Sequence, residues 1–245
     1  MFAMPPQTCL VNYSEKGKSN ALSLSVNKQI AVLNMRAWNR VGSAINVGLL
    51  RKFNSRDFKL WTKVATVYTN VTAAIVAGTA TQIVDTTNSD GFILQCTRKM
   101  GLIGLTVSNS ATGGTYTFEY YNGSAWTTLT TIENFTNFST TGDKYLAFIP
   151  PHDWAVGDGS ATAIDQNMYA IRVLHTTAPG DTGSVNALWM GEFLDYWEGV
   201  ADNVAVELLF DCERPFVLDG GEGLFPYFST AAAANQFGAF YSQWE

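Results

Sequence analysis

The sequence predicts an all-β chain: an antiparallel β-sandwich, jelly-roll-like, inserted in a second, discontinuous β-sandwich built from both chain ends. Three observations predict it. Charged residues are only 15% of the 245, while Thr, Asn, Ser and Gly are abundant, a balance that favours strands and polar turns over solvated helices. From Phe58 to Glu192, short alternating stretches follow one another at the spacing of a sandwich, nearly all of them separated by turn residues. No segment of helical period and length interrupts that series, which argues against βαβ units.

The elements follow in order. The first twenty residues, with Pro5-Pro6 and Lys16-Gly17-Lys18, carry no clear period and read as an extended N-terminal arm. From Ala21 to Val26 the chain alternates, then runs through QIAVLNMRAW to Asn39 and resumes at AINVGLL before Arg51-Lys52. Strands are the reading here, with a helix as rival, because Val26, Ile30, Leu33, Ala37 and Val41 also share one helical face behind a Ser25 cap. Strand signals then come as KVATVY, the alternation around Gln82, GFILQCT, LIGLTVS, TYTFEYY, WTTLTTI, KYLAFIP, MYAIRVL and VNALWMG. Past Tyr196-Trp197 the chain alternates in NVAVELLF and turns through DGGEG at 219–223, where glycine takes positive φ without steric cost. Two final strands, joined at the Ala231–Ala234 segment, are expected to seek partners among the strands before Arg51. The implied organisation is an arm at 1–20, an outer β domain at 21–57 and 198–245, and a central sandwich at 58–197.

Composition excludes several functions. The net charge of -6 and the lack of a basic cluster count against nucleic acid as a partner. Cys9, Cys96 and Cys212 are odd in number and far apart, so they suggest buried free thiols rather than a disulfide framework or a metal site. The start lacks the pattern of a signal peptide, and no apolar run approaches the roughly 20 residues of a membrane span. The Asn-x-Ser/Thr sequons at Asn70, Asn122, Asn134 and Asn137 are read as chance in a Thr- and Asn-rich chain.

The stretch EYYNGSAWTTL at 119–129 is followed by NFTNFSTTG, YLAFIPPHDWAV and MYAIRVLHTTA. Together these resemble a β-sandwich module recurring in bacteriophage virion proteins, including tail and baseplate components. The likeness spans about residues 90–192 and keeps the module's order: a Tyr-rich strand, an Asn-Gly turn before Trp, a Phe before a Ser/Thr-Gly turn, a Pro-x-Asp-Trp step and an Ile-Arg-Val strand. It departs at Tyr169-Ala170, where an aromatic pair is usual, and in a longer, more polar loop from Gly157 to Asn167. The two ends of the chain, VLNMRAWNRVGSAINVGLL and FVLDGGEGLFPYFSTAAAANQFGAFYSQWE, look like the first and last strands of small phage structural sandwiches. The resemblance implies a virion structural protein with no reaction and no cofactor, located in the virion and assembled with major capsid or tail proteins. Capsid decoration, or cement, is the expected role, with a tail, neck or baseplate component as the alternative. It also implies a homo-oligomer, a trimer suiting threefold positions.

The residues themselves offer little chemistry. The two histidines, His152 and His175, lack a GxSxG elbow or other nucleophile signature and are assigned structural or surface places. The acidic residues from Asp153 to Glu198 are read as solvated turn charges rather than a glycosidase pair. No metal site is assigned, because VGDGSATAID lacks the spacing of a calcium loop, although Asp158 and Asp165 leave calcium open. DGGEG is no phosphate cradle, and neither GxxxxGKS/T nor GxGxxG occurs.

A glycan-binding adhesin is the rival class, since the chain has seven Trp and ten Tyr. The candidate interaction aromatics are Tyr121, Trp126 and Trp154. Alternation assigns Tyr116, Phe118 and Tyr120 to the core and sets Tyr121 with Glu119 on the other face, so Tyr121 is expected to be exposed. Asn122-Gly123 is expected to form a two-residue type I′ turn, with Trp126 packing against the hairpin.

Overall fold

The computed structural model describes residues 7–12, 16–17, 22–23, 29–135, 138–158, 164–210, 216–232 and 234–244. Strands hold 57% of the described residues and helices 4%, so every layer is a sheet. In chain order the strands are β1 (Gln7–Asn12), β2 (Leu22–Ser23), β3 (Gln29–Trp38), β4 (Ile45–Lys52), β5 (Phe58–Val64), β6 (Val67–Asn70), β7 (Thr81–Val84), β8 (Gly91–Cys96) and β9 (Leu102–Asn109). They continue as β10 (Thr115–Tyr121), β11 (Trp126–Thr128), β12 (Gly142–Ala147), β13 (Tyr169–Thr177), β14 (Gly183–Val200), β15 (Ala205–Leu209), β16 (Phe216–Leu218), β17 (Gly223–Phe228) and β18 (Gln236–Trp244). Between β6 and β7 lies one short helix, α1 (Thr72–Val76).

The chain divides into two compact units, residues 1–54 with 191–245, and residues 55–190. The sequence set these limits at 57/58 and 197/198. The second limit differs because β14 runs unbroken through residue 191, so no turn residue marks the change.

In the 55–190 unit, a six-stranded antiparallel sheet has the order β11-β10-β13-β8-β5-β6. The other layer is β12-β9-β14, with β7 also on β14. All six residues of β8 are buried, because both of its faces are covered. Phe92 points to the sandwich core, where its ring meets Phe138 edge-on at 6.1 Å, while Ile93 joins a small outer cluster with Ile164 and Ala170. Gly104 of β9 has a packing reason: its missing side chain leaves room for the Trp189 indole.

KVATVY, read as one strand, is instead a hairpin. β5 ends at Val64 and β6 starts at Val67, with Ala65 at φ 52°. The buried Asp90 carboxylate makes that turn: its Oδ1 accepts the Ala65 N–H at 2.6 Å. The turn is thus set by a residue 25 positions away.

In the other unit, one sheet has the order β1-β18-β3-β15, with β16 also pairing β3. The second consists of β14 from Gly191 onward, β4, β17 and β2. QIAVLNMRAW is therefore a strand rather than a helix; Val26 and Ser25 of the helical alternative lie outside the described residues. Residues 7–12 of the expected arm are a strand registered on β18, Gln7 against Tyr241 through Asn12 against Gln236. The final strand β18 sits between β1 and β3. Arg51 pairs with the buried Glu222 at 3.2 Å and with Glu192 at 3.5 Å.

Asn39 ties the corner between β3 and β4. It is fully buried; its Nδ2 donates to the carbonyls of Ser43 (2.7 Å) and Val200 (2.8 Å), and its Oδ1 accepts the Val41 N–H (3.0 Å). Asn39→Ala is expected to cost about 1–3 kcal/mol, since the buried Val200 carbonyl and two part-buried backbone groups lose their partner. A chemical-denaturation midpoint equal to that of the parent would contradict this.

Candidate functional site

The hairpin at 119–129 registers Glu119 with Thr128, Tyr120 with Thr127 and Tyr121 with Trp126. Four residues, not two, therefore connect β10 and β11. A type I′ turn needs positive φ at both central residues, and here Gly123 has it (94°) while Asn122 does not. The Asn122 side chain explains the wider loop: its Oδ1 accepts the N–H groups of Ser124 (3.0 Å) and Ala125 (2.8 Å), an Asx-type turn.

Tyr121, expected on the surface, is buried to 8% exposure, with its ring 6.0 Å from that of Trp126. Trp154 is buried more deeply, at 3%. Its indole meets Tyr120, Phe148 and Tyr169 edge-on at 6.5, 5.9 and 5.6 Å, and its Nε1–H donates to the Ala170 carbonyl at 3.2 Å. Beside it, the Tyr120 hydroxyl donates to Asp153 at 3.0 Å. Neither Tyr121 nor Trp154 offers a ring face to a ligand.

Trp126 is the candidate that stays half-exposed, and it belongs to a set the sequence did not single out. On the outer face of the six-stranded sheet, Trp61, Tyr68 and Trp126 pack against Ile93, Ile164 and Ala170. The Arg172 guanidinium lies 4.4 Å from the Trp126 ring centroid, and its Nε and Nη2 both reach Glu119 Oε2, at 2.9 and 2.8 Å. Trp61 Nε1–H donates to Gln95 Oε1 at 2.7 Å, and Gln95 Nε2 donates to the Asp165 carbonyl at 2.7 Å. Half-buried aromatics beside an ion pair suit contact with a protein surface or a sugar ring. Register alone brings Trp61, Ile93, Arg172 and Glu119 into one row across four strands, and sequence spacing carries no trace of it.

The two carboxylates left open to calcium are engaged by the protein. Asp165 pairs with Lys59 at 2.8 Å, and that hydrogen bond, helped by the Asn167 N–H, holds its carboxyl below the usual range. Asp158 accepts from Gln166 Nε2 at 2.9 Å. Among the described residues no group of three His, Cys, Asp or Glu side chains could hold a metal ion. Cys96 is buried in β8, Cys9 is partly buried with its thiol pushed up by burial, and Cys212 lies outside the described residues.

His152 is exposed, while His175 of β13 is buried to 2%. His175 Nδ1 lies 3.2 Å from the Thr87 carbonyl, and the Tyr116 ring meets its ring edge-on at 5.0 Å. Burial pushes the imidazole below its ordinary value of 6.5, opposed by the Thr87 carbonyl and by Asp90 and Asp85. Burial likewise raises the Tyr116 hydroxyl to about 12. Above pH 6.5, His175 is neutral whether folded or unfolded and stability is unaffected. Below it the unfolded chain takes up a proton that the folded chain refuses, so stability falls by up to about 1.4 kcal/mol per pH unit until the folded value is reached. Denaturation at pH 7.5, 6.5 and 5.5 is expected to show this loss, and His175→Phe to flatten it; an unchanged slope in that variant would assign the loss elsewhere.

No protein-family model, no curated protein and no solved structure matches the chain.

Proposed function

We propose that the protein is a structural component of a bacteriophage virion, acting by protein-protein assembly as a capsid decoration or cement protein. The observation that supports this reading is the use the fold makes of the motifs that resemble the phage module. The Tyr-rich strand, the Pro-x-Asp-Trp step and the Ile-Arg-Val strand meet at Trp154, through Tyr120, Asp153, Tyr169 and Ala170. Their residues serve as framework, and function falls to the outer surfaces. A cement protein added to assembled capsids is expected to bind them and to raise their resistance to heat or chaotrope. Association with tail proteins instead would move the protein to the tail, neck or baseplate.

One observation favours a second reading, a host-glycan-binding adhesin: the half-buried Trp61, Tyr68 and Trp126 beside Arg172 and Glu119. Binding of the isolated protein to a glycan array, abolished by Trp126→Ala, would select the adhesin over the cement protein. Labelled antibody on intact virions separates head from tail.

A further inference from the structure

The sheet β1-β18-β3-β15 has an outer face unlike the rest of the chain. Registry places Leu10 beside Gly238 and Gly238 beside Arg36, with Phe240 between Thr8 and Asn34. Glu207 and Leu209 of β15 continue the same rows, opposite Arg36 and Asn34. Leu10 is 62% exposed, Leu209 69% and Phe240 38%. Because residue 238 is glycine, a recess of about 260 Å³ opens there, with Leu10 and Trp38 at its sides and Phe240 nearby.

The four strands contain only two charged residues, Arg36 and Glu207, in a chain carrying 36. These two pair with each other at 2.7 Å. Loss of charge around aliphatic and aromatic side chains, with an arginine kept, is the composition of an interface core rather than of free surface.

We infer that this face binds a second copy of the same face across a two-fold axis. Its complements lie side by side, as a self-paired surface requires: the projecting Leu10 and an apolar recess to receive it, a cation and an anion to receive each other. The net charge of -6 makes two copies repel in most orientations, whereas this face is neutral. A partner of another kind would need no such match between the face and itself. The inference does not depend on the virion reading, since it concerns the purified chain in solution.

Sedimentation equilibrium of the full chain between about 1 and 100 µM tests it. The parent is expected to be a dimer. Leu10→Asp is expected to weaken it by at least about thirtyfold, as loss of a central apolar anchor does. Arg36→Glu, at an exposed position that spares the core, leaves the face with two negative charges and is expected to weaken the dimer at least about tenfold. Adding Glu207→Arg to it restores neutrality and dimerisation. Circular dichroism checks that each variant is folded; if Leu10→Asp is not, the charge swap alone decides. A parent that stays monomeric at the highest concentration overturns the inference, as do a dimer indifferent to both substitutions, a swap that restores nothing, and a trimer.

Discussion

Trp154→Ala is expected to destabilise the protein by about 3–5 kcal/mol, the largest loss from any single truncation considered. The indole is almost wholly buried against three other rings, so its removal leaves a cavity that those rings cannot fill without leaving their own contacts. The Ala170 carbonyl also loses the Nε1–H that it accepts. Trp154→Phe separates the two effects: it keeps most of the volume and is expected to cost about 1–3 kcal/mol, chiefly for the unpaired carbonyl. Urea denaturation measures both. Equal midpoints for Trp154→Ala and a surface substitution would contradict this packing role. Since total stability for a domain is about 5–15 kcal/mol, Trp154→Ala is also expected to reduce soluble yield.

Gly91→Ala is expected to cost about 3 kcal/mol or more, although it adds one methyl group. A Cβ at residue 91 would lie 2.0 Å from the Val173 carbonyl oxygen, 3.0 Å from its carbon and 3.1 Å from the Leu174 Cα. All three are backbone atoms of β13, so no rotamer change relieves the clash and the β8–β13 ladder has to open. Gly180→Ala is the matched control. Its Cβ would come no closer than 3.7 Å, to the Thr112 carbonyl, and it is expected to stay within about 0.5 kcal/mol of the parent. Thermal unfolding of the two variants side by side tests the contrast; equal shifts would refute the close approach at β8.

The same two residues show what sequence carries. Trp154 stands out in the sequence as part of PPHDW and reads there as a candidate interaction aromatic, whereas the fold buries it among other rings. Gly91 opens the strand stretch GFILQCT with nothing in its neighbourhood to mark it, because the atom it must avoid belongs to residue 173. The Asn122-Gly123 turn was legible as a turn but not as a four-residue one, since the side-chain carbonyl of Asn122 competes with the two-residue geometry. Tyr121 looked exposed because alternation assumes one wet face, whereas the Trp126 ring of the neighbouring strand packs beside it. Trp61 and Arg172 were invisible as a pair of interest, being 111 positions apart and joined only through register.

Composition and the period of two determined by themselves that this chain is all-β and where most of its strands lie. Those properties are local, since backbone pleat, β-branched and aromatic content and turn residues act within a few positions. Only the tertiary structure decided which aromatics are core and which stay half-exposed, and which strand edges and faces remain open. It alone brought Leu10, Gly238 and Arg36 into one row, and Arg36 against Glu207. Antiparallel pairing between distant segments sets such neighbours, and the sequence along one strand holds no record of the residue that lies beside it on the next.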